Sequence, residues 1–485
     1  MWRSTSCLRL SAVGKRSAPS ILEGATVRRS KIGRYTYSRA ISTTTTPGLI
    51  RGHGSTRQSS AAAALKPVQE THPEHHEQNS STLGDLPTSR IDDRKVVVGW
   101  DAQTWSRYHH IWLRDHCRCP QCFHPVTKQR LVNTFEIPFD VKPVAVESKP
   151  EGLDVTWPST QPHISFYPWS WLQQNSYDPP LARAPPPEKI LWGSKILQDP
   201  PTVTYEEAMS EDERGLFKWL SNTEKFGFCF ISGVPPTPEA TEELSRRIGF
   251  IRETQYGTFW DFTSDLAKGD TAYTTLALGA HTDTTYYTDP CGLQLFHLLE
   301  HSGGSGGATL LVDGFYVASI LKELHPTAYD LLARVRVPSH AAGEPSALYT
   351  PTPRSGYPVL RHSDGELIQV RWNNDDRSVV NHLEPGMVEE WYDAIKKWHQ
   401  LLTSADSEYW IQLSPGTAVV VDNHRVLHGR SAFTGKRRMC GAYIGVDEYR
   451  SKLAVLGEKF APDSVVQETS AYATVNGRSI WNMLL

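Results

Sequence analysis

No stretch of the 485 residues approaches 18 consecutive apolar side chains, so no transmembrane helix and no membrane partner are expected. Charge of one sign is scarcely in excess. The 50 Lys and Arg against 53 Asp and Glu leave a formal net charge of −3, which gives no footing for nucleic acid. Cysteine is sparse: there are seven, and three of them fall between positions 117 and 122. That is no disulfide framework of a secreted domain; it suggests a reducing compartment and a metal. Acidic residues are nearly missing from 1–69. Glu23 stands there among Arg3, Arg9, Lys15, Arg16, Arg28, Arg29, Lys31, Arg34, Arg39 and many Ser and Thr. That composition is the one of a mitochondrial transit peptide, the plainer alternative being an unstructured tail. Residues 70–92 stay polar, so 1–92 reads as transit peptide plus disordered segment, with no packed structure before about residue 93.

Aromatic residues are what the chain has in number, with 15 Trp and 19 Tyr, enough for cores and for cation cages. Residues 96–100 and 110–113 read as strands. They precede Cys117-Arg-Cys119-Pro-Gln-Cys122, a compact set of thiols one ligand short of a tetrahedral zinc site. His163 is the candidate fourth ligand, with His116 and His124 as local rivals. Residues 93–178 thus read as a small β domain with a structural zinc site, and 179–201 as a Pro-rich linker. In 202–455, helices are expected at 205–223, 237–249, 315–334 and 385–403. Strands are expected at 226–235, 293–299, 308–313, 367–372, 409–413, 417–422 and 437–446. Many short strands with a few peripheral helices predict a mainly β fold, a double-stranded β-helix (jelly roll). Residues 456–485 read as a C-terminal tail.

The chemistry centres on His281-Thr282-Asp283. Two apart in extended chain, the imidazole and the carboxylate project to one side. A third corner is offered by Asp422-Asn-His-Arg-Val-Leu-His428, through His424 or His428. Two His and one carboxylate are the facial triad of non-haem Fe(II) oxygenases; the bland alternative is a chance tripeptide in a loop. In the last strand, Arg437, Met439, Gly441 and Tyr443 share one face, and Arg438, Cys440 and Ala442 the other. An Arg437 inside a barrel implies a bound carboxylate. The opposite register leaves Arg437 merely at the strand start, and spacing does not choose between them.

Taken together, His281-Thr-Asp-Thr-Thr-Tyr, Asp289-Pro-Cys-Gly292, Val312-Asp-Gly-Phe-Tyr316, Arg371-Trp-Asn-Asn374, Asp422-Asn423 and Arg425-Val-Leu-His-Gly-Arg430 resemble the trimethyllysine dioxygenase and γ-butyrobetaine dioxygenase family. These are Fe(II)- and 2-oxoglutarate-dependent hydroxylases of carnitine biosynthesis. The resemblance covers about residues 93–455 and is closer to the trimethyllysine branch. It implies His281, Asp283 and His428 as iron ligands, His424 standing where the family usually has Trp. It implies Arg437 and Thr309 for the distal carboxylate of 2-oxoglutarate, although Ala308 departs from a commonly polar position. Cys117, Cys119, Cys122 and His163 match the zinc ligands of the γ-butyrobetaine branch. Tyr256, Trp260, Tyr273 and Tyr443 match an aromatic cage for a trimethylammonium group, which cannot donate a hydrogen bond and is suited by ring faces.

Substrate choice is expected to rest on Asp270, three before Tyr273, where the γ-butyrobetaine branch has Asn. An Asp there would pair the α-ammonium of trimethyllysine, leaving Asn373 or Asn374 for its carboxylate. The resemblance further implies O2, ascorbate as reductant, a homodimer and the mitochondrial matrix. The expected reaction is hydroxylation of N6,N6,N6-trimethyllysine at C3. γ-Butyrobetaine hydroxylation is the nearest alternative. A non-enzymatic trimethylammonium reader would need no iron triad, and a zinc hydrolase gives no reason for an inward Arg437.

Overall fold

Alternation at period two accounts for the sheets. In a computed structural model, which describes residues 87–159, 163–181, 189–263, 271–341 and 347–460, ten strands of the C-terminal part form two sheets around one shared core. They are β1 (Thr202–Thr204), β2 (Phe228–Ser232), β3 (Phe259–Thr263), β4 (Leu278–His281), β5 (Leu293–Ser302), β6 (Thr309–Asp313), β7 (Tyr409–Ile411), β8 (Thr417–Asp422), β9 (Val426–Arg430) and β10 (Lys436–Ile444). The larger sheet has the order β1-β2-β8-β5-β10-β3 and the smaller β4-β9-β6-β7, every pair antiparallel except β1 with β2.

In β8, Val419 and Val421 enter the shared core with Phe228, Phe296, Leu311 and Val426. The alternate residues Ala418 and Val420 join Trp219, Leu244 and Leu453 beneath the helices Arg214–Phe226, Pro238–Ile248 and Val446–Phe460. The outer face of the smaller sheet, through Leu310, Val312 and Leu427, lies under Gly314–Leu324, Pro326–Arg334 and Val388–Leu402, which supply Leu321, Leu332, Trp391 and Trp398. Strands covered on both faces read as continuous apolar runs, which is why Leu293-Gln-Leu-Phe-His-Leu-Leu is buried throughout. This is the expected jelly roll with peripheral helices.

Two three-stranded sheets precede it, Thr88–Ile91, Lys95–Gly99 and Trp105–His109, then Ala145–Ser148, Gly152–Trp157 and His163–Pro168. Val96, Val98, Tyr108, Leu153, Val155 and Trp157 form their common core.

Several expectations need correction. Structure starts before residue 93: Thr88–Ile91 pairs with Lys95–Gly99 as a hairpin, Ile91 opposite Val96. Residues 110–113 are not a strand but part of a helix, His110–Asp115, burying His110 and Leu113, three apart on one face. Residues 189–201 are not a free linker. Trp192 is buried, with its indole N–H donating to the Phe226 carbonyl at 2.6 Å. The helix expected at 205–223 is two, Tyr205–Met209 and Arg214–Phe226, parted at Glu213 with φ 63°. The helix expected at 315–334 is broken at His325, because Pro326 starts a new one. The core runs past 455, since the helix Val446–Phe460 buries Leu456. The expected transit segment up to residue 86, Asp270 and residues 461–485 lie outside the described residues. Among the described residues, no helix is long and apolar enough to cross a membrane.

Candidate metal centre and substrate cavity

β4 ends at His281, and β9 carries His428 directly opposite it in the antiparallel register. The two rings lie 4.5 Å apart between centroids. Asp283 arrives from the turn that follows β4, where Thr284 takes φ 56°. That turn is held from two sides. The Asn423 side chain accepts from the Asp283 N–H at 2.7 Å and donates to the Asp283 and Cys291 carbonyls at 3.0 and 2.9 Å. Buried Arg371 donates to the carbonyls of Thr285 and Tyr287.

One ligand atom from each of His281, Asp283 and His428 lies within 4.8 Å of the others. His281 Nδ1 is hydrogen-bonded to the Gly279 carbonyl at 2.8 Å, which turns Nε2 to within 3.3 Å of Asp283 Oδ1. His428 Nε2 is 3.7 Å from Asp283 Oδ2, which also accepts from the Tyr443 hydroxyl at 2.6 Å. Burial disfavours the Asp283 anion. The two imidazoles and Tyr443 outweigh it, so the carboxyl sits well below the usual range. Burial would depress His281, but Asp283 lifts it to about 9; burial pushes His428 down to about 4. Such a set, with each imidazole presenting Nε2, fits a divalent cation. His424 does not reach it: its Nε2 faces the Pro290 carbonyl at 3.4 Å.

A cavity of about 160 Å³ opens on the cluster. At one side stand Thr309, Arg430 and Arg437. Arg437 shares the inward face with Met439 and Tyr443, and it is 6% exposed. Its Nε has no hydrogen-bond partner among the described residues, and burial with neighbouring Arg430 pushes the guanidinium down to about 10. Arg438 points the other way and pairs with Asp261 at 2.8 Å. Of the two registers open to spacing, the inward Arg437 is the one adopted.

A wall of rings carries Tyr256, Trp260, Phe262, Tyr273 and Tyr286. Tyr256 lies 6.5 Å from Tyr273, and Phe262 bridges Trp260 and Tyr273 at 5.6 and 4.5 Å. Gly441 on β10 makes room for this wall, since a Cβ there would lie 2.5 Å from the Trp260 ring. Tyr443 stands 6.4 Å from Trp260, but its hydroxyl belongs to Asp283. Asn373 lines the cavity; Asn374 does not, being exposed with its Oδ1 3.4 Å from Arg377.

Sequence reasoning missed Phe262, Tyr286, Arg430 and Asp376. Arg430 donates to the carbonyls of Ala272, Thr274 and Leu276 at 3.1, 2.8 and 2.9 Å, holding the segment that bears Tyr273. The available signal was its place two after His428 on β9, hence on the same face.

In the N-terminal part, the Sγ atoms of Cys117, Cys119 and Cys122 lie 3.3, 3.6 and 3.5 Å from His163 Nε2. A zinc tetrahedron with ordinary Zn–S and Zn–N bonds has an S···N edge of about 3.5 Å, so the four residues fit one. Arg114 donates to the Cys122 sulfur at 3.3 Å. The rivals are engaged elsewhere: His116 Nδ1 with the Trp112 carbonyl at 2.8 Å, His124 Nδ1 with the N–H of Thr127 at 3.0 Å.

Comparison with known proteins places this geometry. The family described as Taurine catabolism dioxygenase TauD, TfdA matches residues 183–443, and Gamma-butyrobetaine hydroxylase-like, N-terminal matches 88–173. The chain is 43% identical over 381 residues to a trimethyllysine dioxygenase of Meyerozyma guilliermondii, covering 75% of this chain and 94% of that protein. This chain belongs to the trimethyllysine dioxygenase family. It is 40% identical over 359 residues to the human protein named trimethyllysine dioxygenase, mitochondrial, covering 73% of this chain and 84% of that one. To human gamma-butyrobetaine dioxygenase the identity is 29% over 377 residues, with 75% and 95% covered. Among solved structures, a taurine dioxygenase from Burkholderia xenovorans aligns at a TM-score of 0.38 and 13% identity, covering 53% of this chain and 89% of that one. Membership makes the chain an Fe(II)- and 2-oxoglutarate-dependent oxygenase that consumes O2.

Proposed function

We propose that this protein hydroxylates N6,N6,N6-trimethyllysine at C3, the first step of carnitine biosynthesis. One observation carries the reading: a single cavity joins the two-His, one-Asp cluster, a buried guanidinium whose Nε has no partner among the described residues, and a wall of aromatic rings. His281, Asp283 and His428 would hold Fe(II) on one face and leave the other positions open. Bound there with 2-oxoglutarate and O2, the metal supplies the oxidation that converts a C–H bond to C–OH. Arg437, with Thr309 beside it, would hold the distal carboxylate of 2-oxoglutarate by a charge-assisted pair. Tyr443 fixes one oxygen of Asp283 and so the direction of the other. Tyr256, Trp260, Tyr273 and Tyr443, joined by Phe262 and Tyr286, would receive the trimethylammonium group on their faces. With that end anchored, the carbon reaching the cluster is chosen by distance along the chain. Asp270 remains the proposed partner of the α-ammonium, and Asn373 that of the carboxylate.

The rest of the reading follows the family. Cys117, Cys119, Cys122 and His163 would hold structural zinc, ascorbate would keep the iron reduced, and the protein would act as a homodimer in the mitochondrial matrix.

The test is succinate and hydroxylated product formed from 2-oxoglutarate with either trimethyllysine or γ-butyrobetaine. Trimethyllysine should be the better substrate; a preference for γ-butyrobetaine would assign the sister activity. Asp283→Ala and His428→Ala should each abolish turnover, whereas His424→Ala should retain much of it. Near wild-type rates in either of the first two would remove the cluster from the chemistry.

A further inference from the structure

Gln255 and Tyr256 form the tip of a tight turn closed by Thr254 and Gly257, which exchange backbone hydrogen bonds at 3.0 and 2.9 Å. Gly257 closes it with φ 99°, a conformation that favours glycine. Two adjacent residues in so short a turn move together. The base of the turn is held to β10, where the Arg252 N–H donates to the Tyr443 carbonyl at 2.8 Å. The tip is held by the Gln255 carboxamide. Its Nε2 donates to the Tyr286 hydroxyl at 2.7 Å, and its Oε1 accepts from the Tyr287 hydroxyl at 2.6 Å. The Tyr256 hydroxyl lies 3.3 Å from that of Tyr286, so three phenols and one carboxamide form a single hydrogen-bonded set.

Tyr286 and Tyr287 are buried, and their backbone belongs to the turn that delivers Asp283. The Tyr287 N–H donates to the Thr284 carbonyl at 2.9 Å, and Arg371 holds the carbonyls of Thr285 and Tyr287. The Gln255 carboxamide therefore joins two units. One is the turn that carries Tyr256 on the aromatic wall; the other is the turn that carries a residue of the metal-ligand cluster. Tyr256 and Tyr286 both line the cavity that opens on that cluster. An amide is matched to this place, because one planar group offers a donor to one phenol and an acceptor to the other. An aliphatic side chain there would strip two buried hydroxyls of these partners.

We propose that Gln255 is a positioning residue that sets the span between the seat of the trimethylammonium group and the metal-ligand cluster. The inference rests on the proposed function and deepens it. With the cation anchored on the rings, the carbon presented to the cluster is chosen by distance. A misplacement of about 1 Å is enough to cost on the order of a hundredfold in rate. A tip released from Tyr286 and Tyr287 lets the seat drift, so C3 is no longer the carbon held in reach. 2-Oxoglutarate is then still oxidised to succinate and CO2. The second oxygen atom of O2 leaves as water, its two electrons and two protons supplied by ascorbate, instead of entering the C3–H bond.

The experiment uses the full chain with Fe(II), 2-oxoglutarate, ascorbate and trimethyllysine. It measures hydroxylated product per succinate, the position of the hydroxyl, and KM for trimethyllysine and for 2-oxoglutarate. The proteins are wild type, Gln255→Leu, Gln255→Glu and Tyr287→Phe. Gln255→Leu should raise KM for trimethyllysine roughly threefold to tenfold, as for a lost hydrogen bond. It should also lower the product formed per succinate and spread the hydroxyl beyond C3, with KM for 2-oxoglutarate unchanged. Gln255→Glu, whose carboxylate accepts from both phenols, should recover part of the coupling. Tyr287→Phe removes one of the two ties and should fall between wild type and Gln255→Leu. Unchanged coupling in Gln255→Leu, or an equal rise in both KM values, would overturn the inference, the latter making Gln255 a support of the fold alone. Should Gln255→Leu fold poorly, Tyr287→Phe carries the test, and wild-type coupling there overturns it equally. A wild-type protein that forms succinate but no hydroxylated trimethyllysine would instead overturn the proposed function.

Discussion

Arg437 and Arg438 are neighbours in sequence and opposites in environment. Strand alternation sends Arg437 to the core side with Met439 and Tyr443, and Arg438 to Asp261 at the surface. A buried guanidinium is costly unless an anion meets it, and an exposed ion pair is worth little. Arg437→Ala should therefore weaken 2-oxoglutarate by roughly 2–5 kcal/mol, read as a raised KM for that compound. Arg438→Ala should cost about 1 kcal/mol or less on the same measure. The reverse order would mean that the strand runs one residue out of register. His297 is a second residue whose role is set by its surroundings. It is fully buried, Gly416 N–H donates to its Nε2 at 3.0 Å, and its Nδ1 lies 2.8 Å from the Thr241 hydroxyl. Burial pushes it down to about 4, against an ordinary value of 6.5. The unfolded chain thus takes up a proton that the folded one refuses, so stability falls as pH drops from about 6.5 towards 4. The loss attributable to this side chain should be on the order of 3 kcal/mol. Denaturant unfolding of wild type and His297→Gln at pH 6.5 and 4.5 checks it. A parallel pH slope in the two proteins would rule His297 out as a source.

At the level of elements, the turn between β8 and β9 does two separate jobs. Asn423 clamps both peptide groups of Asp283, and Arg425 reaches the opposite way into a fully buried pair with Asp313 at 2.8 Å. The same guanidinium donates to the Lys225 and Ile190 carbonyls at 3.0 and 2.5 Å, and Asp313 accepts from the Trp192 N–H at 3.1 Å. Asp313 also caps the helix Gly314–Leu324 through the N–H of Phe315. This explains why the Pro-rich stretch is docked rather than free from residue 189 onward. Composition registers its prolines but not its distant partner. Asp313→Ala should cost about 3–5 kcal/mol, because it strands a buried Arg425 charge and removes a cap. Equilibrium unfolding measures it, and a cost below about 1 kcal/mol would mean that the pair is not what holds the segment.

For the whole molecule, the two residue sets that could hold a metal lie in different parts of the chain. Cys117, Cys119 and Cys122 lie in the loop after the helix His110–Asp115, with His163 on an N-terminal strand, whereas the His281 cluster belongs to the jelly roll. A stabilising zinc and a reacting iron should accordingly be separable. Cys119→Ser should release zinc and lower the melting temperature while leaving turnover per folded molecule intact. Zinc retained at one per chain would remove Cys119 from the set, and loss of turnover in folded protein would join the two functions.

Local pattern was enough to name donor types: His-x-Asp puts two ligands on one side, three thiols within six positions imply a fourth ligand, and alternation in β10 reduces Arg437 to two possibilities. The thiol spacing and the alternation depend only on backbone geometry over a few residues, which the sequence by itself determines, whereas Asp283 reaches His281 from a turn that Asn423 and Arg371 hold. The choices between alternatives depended on residues far away. His428 rather than His424 follows from the pairing of β9 with β4, which sets it opposite His281. His110–Asp115 is a helix although it reads as a strand, because Leu113 buries into a core made with Leu153 and Tyr167. Asp376 carries no local signature at all; it joins the cavity lining only once the chain at Trp372 pairs with Thr282, just beyond β4. Short-range sterics write the first kind of information into the sequence, and burial against distant surfaces, decided only in the tertiary structure, writes the second.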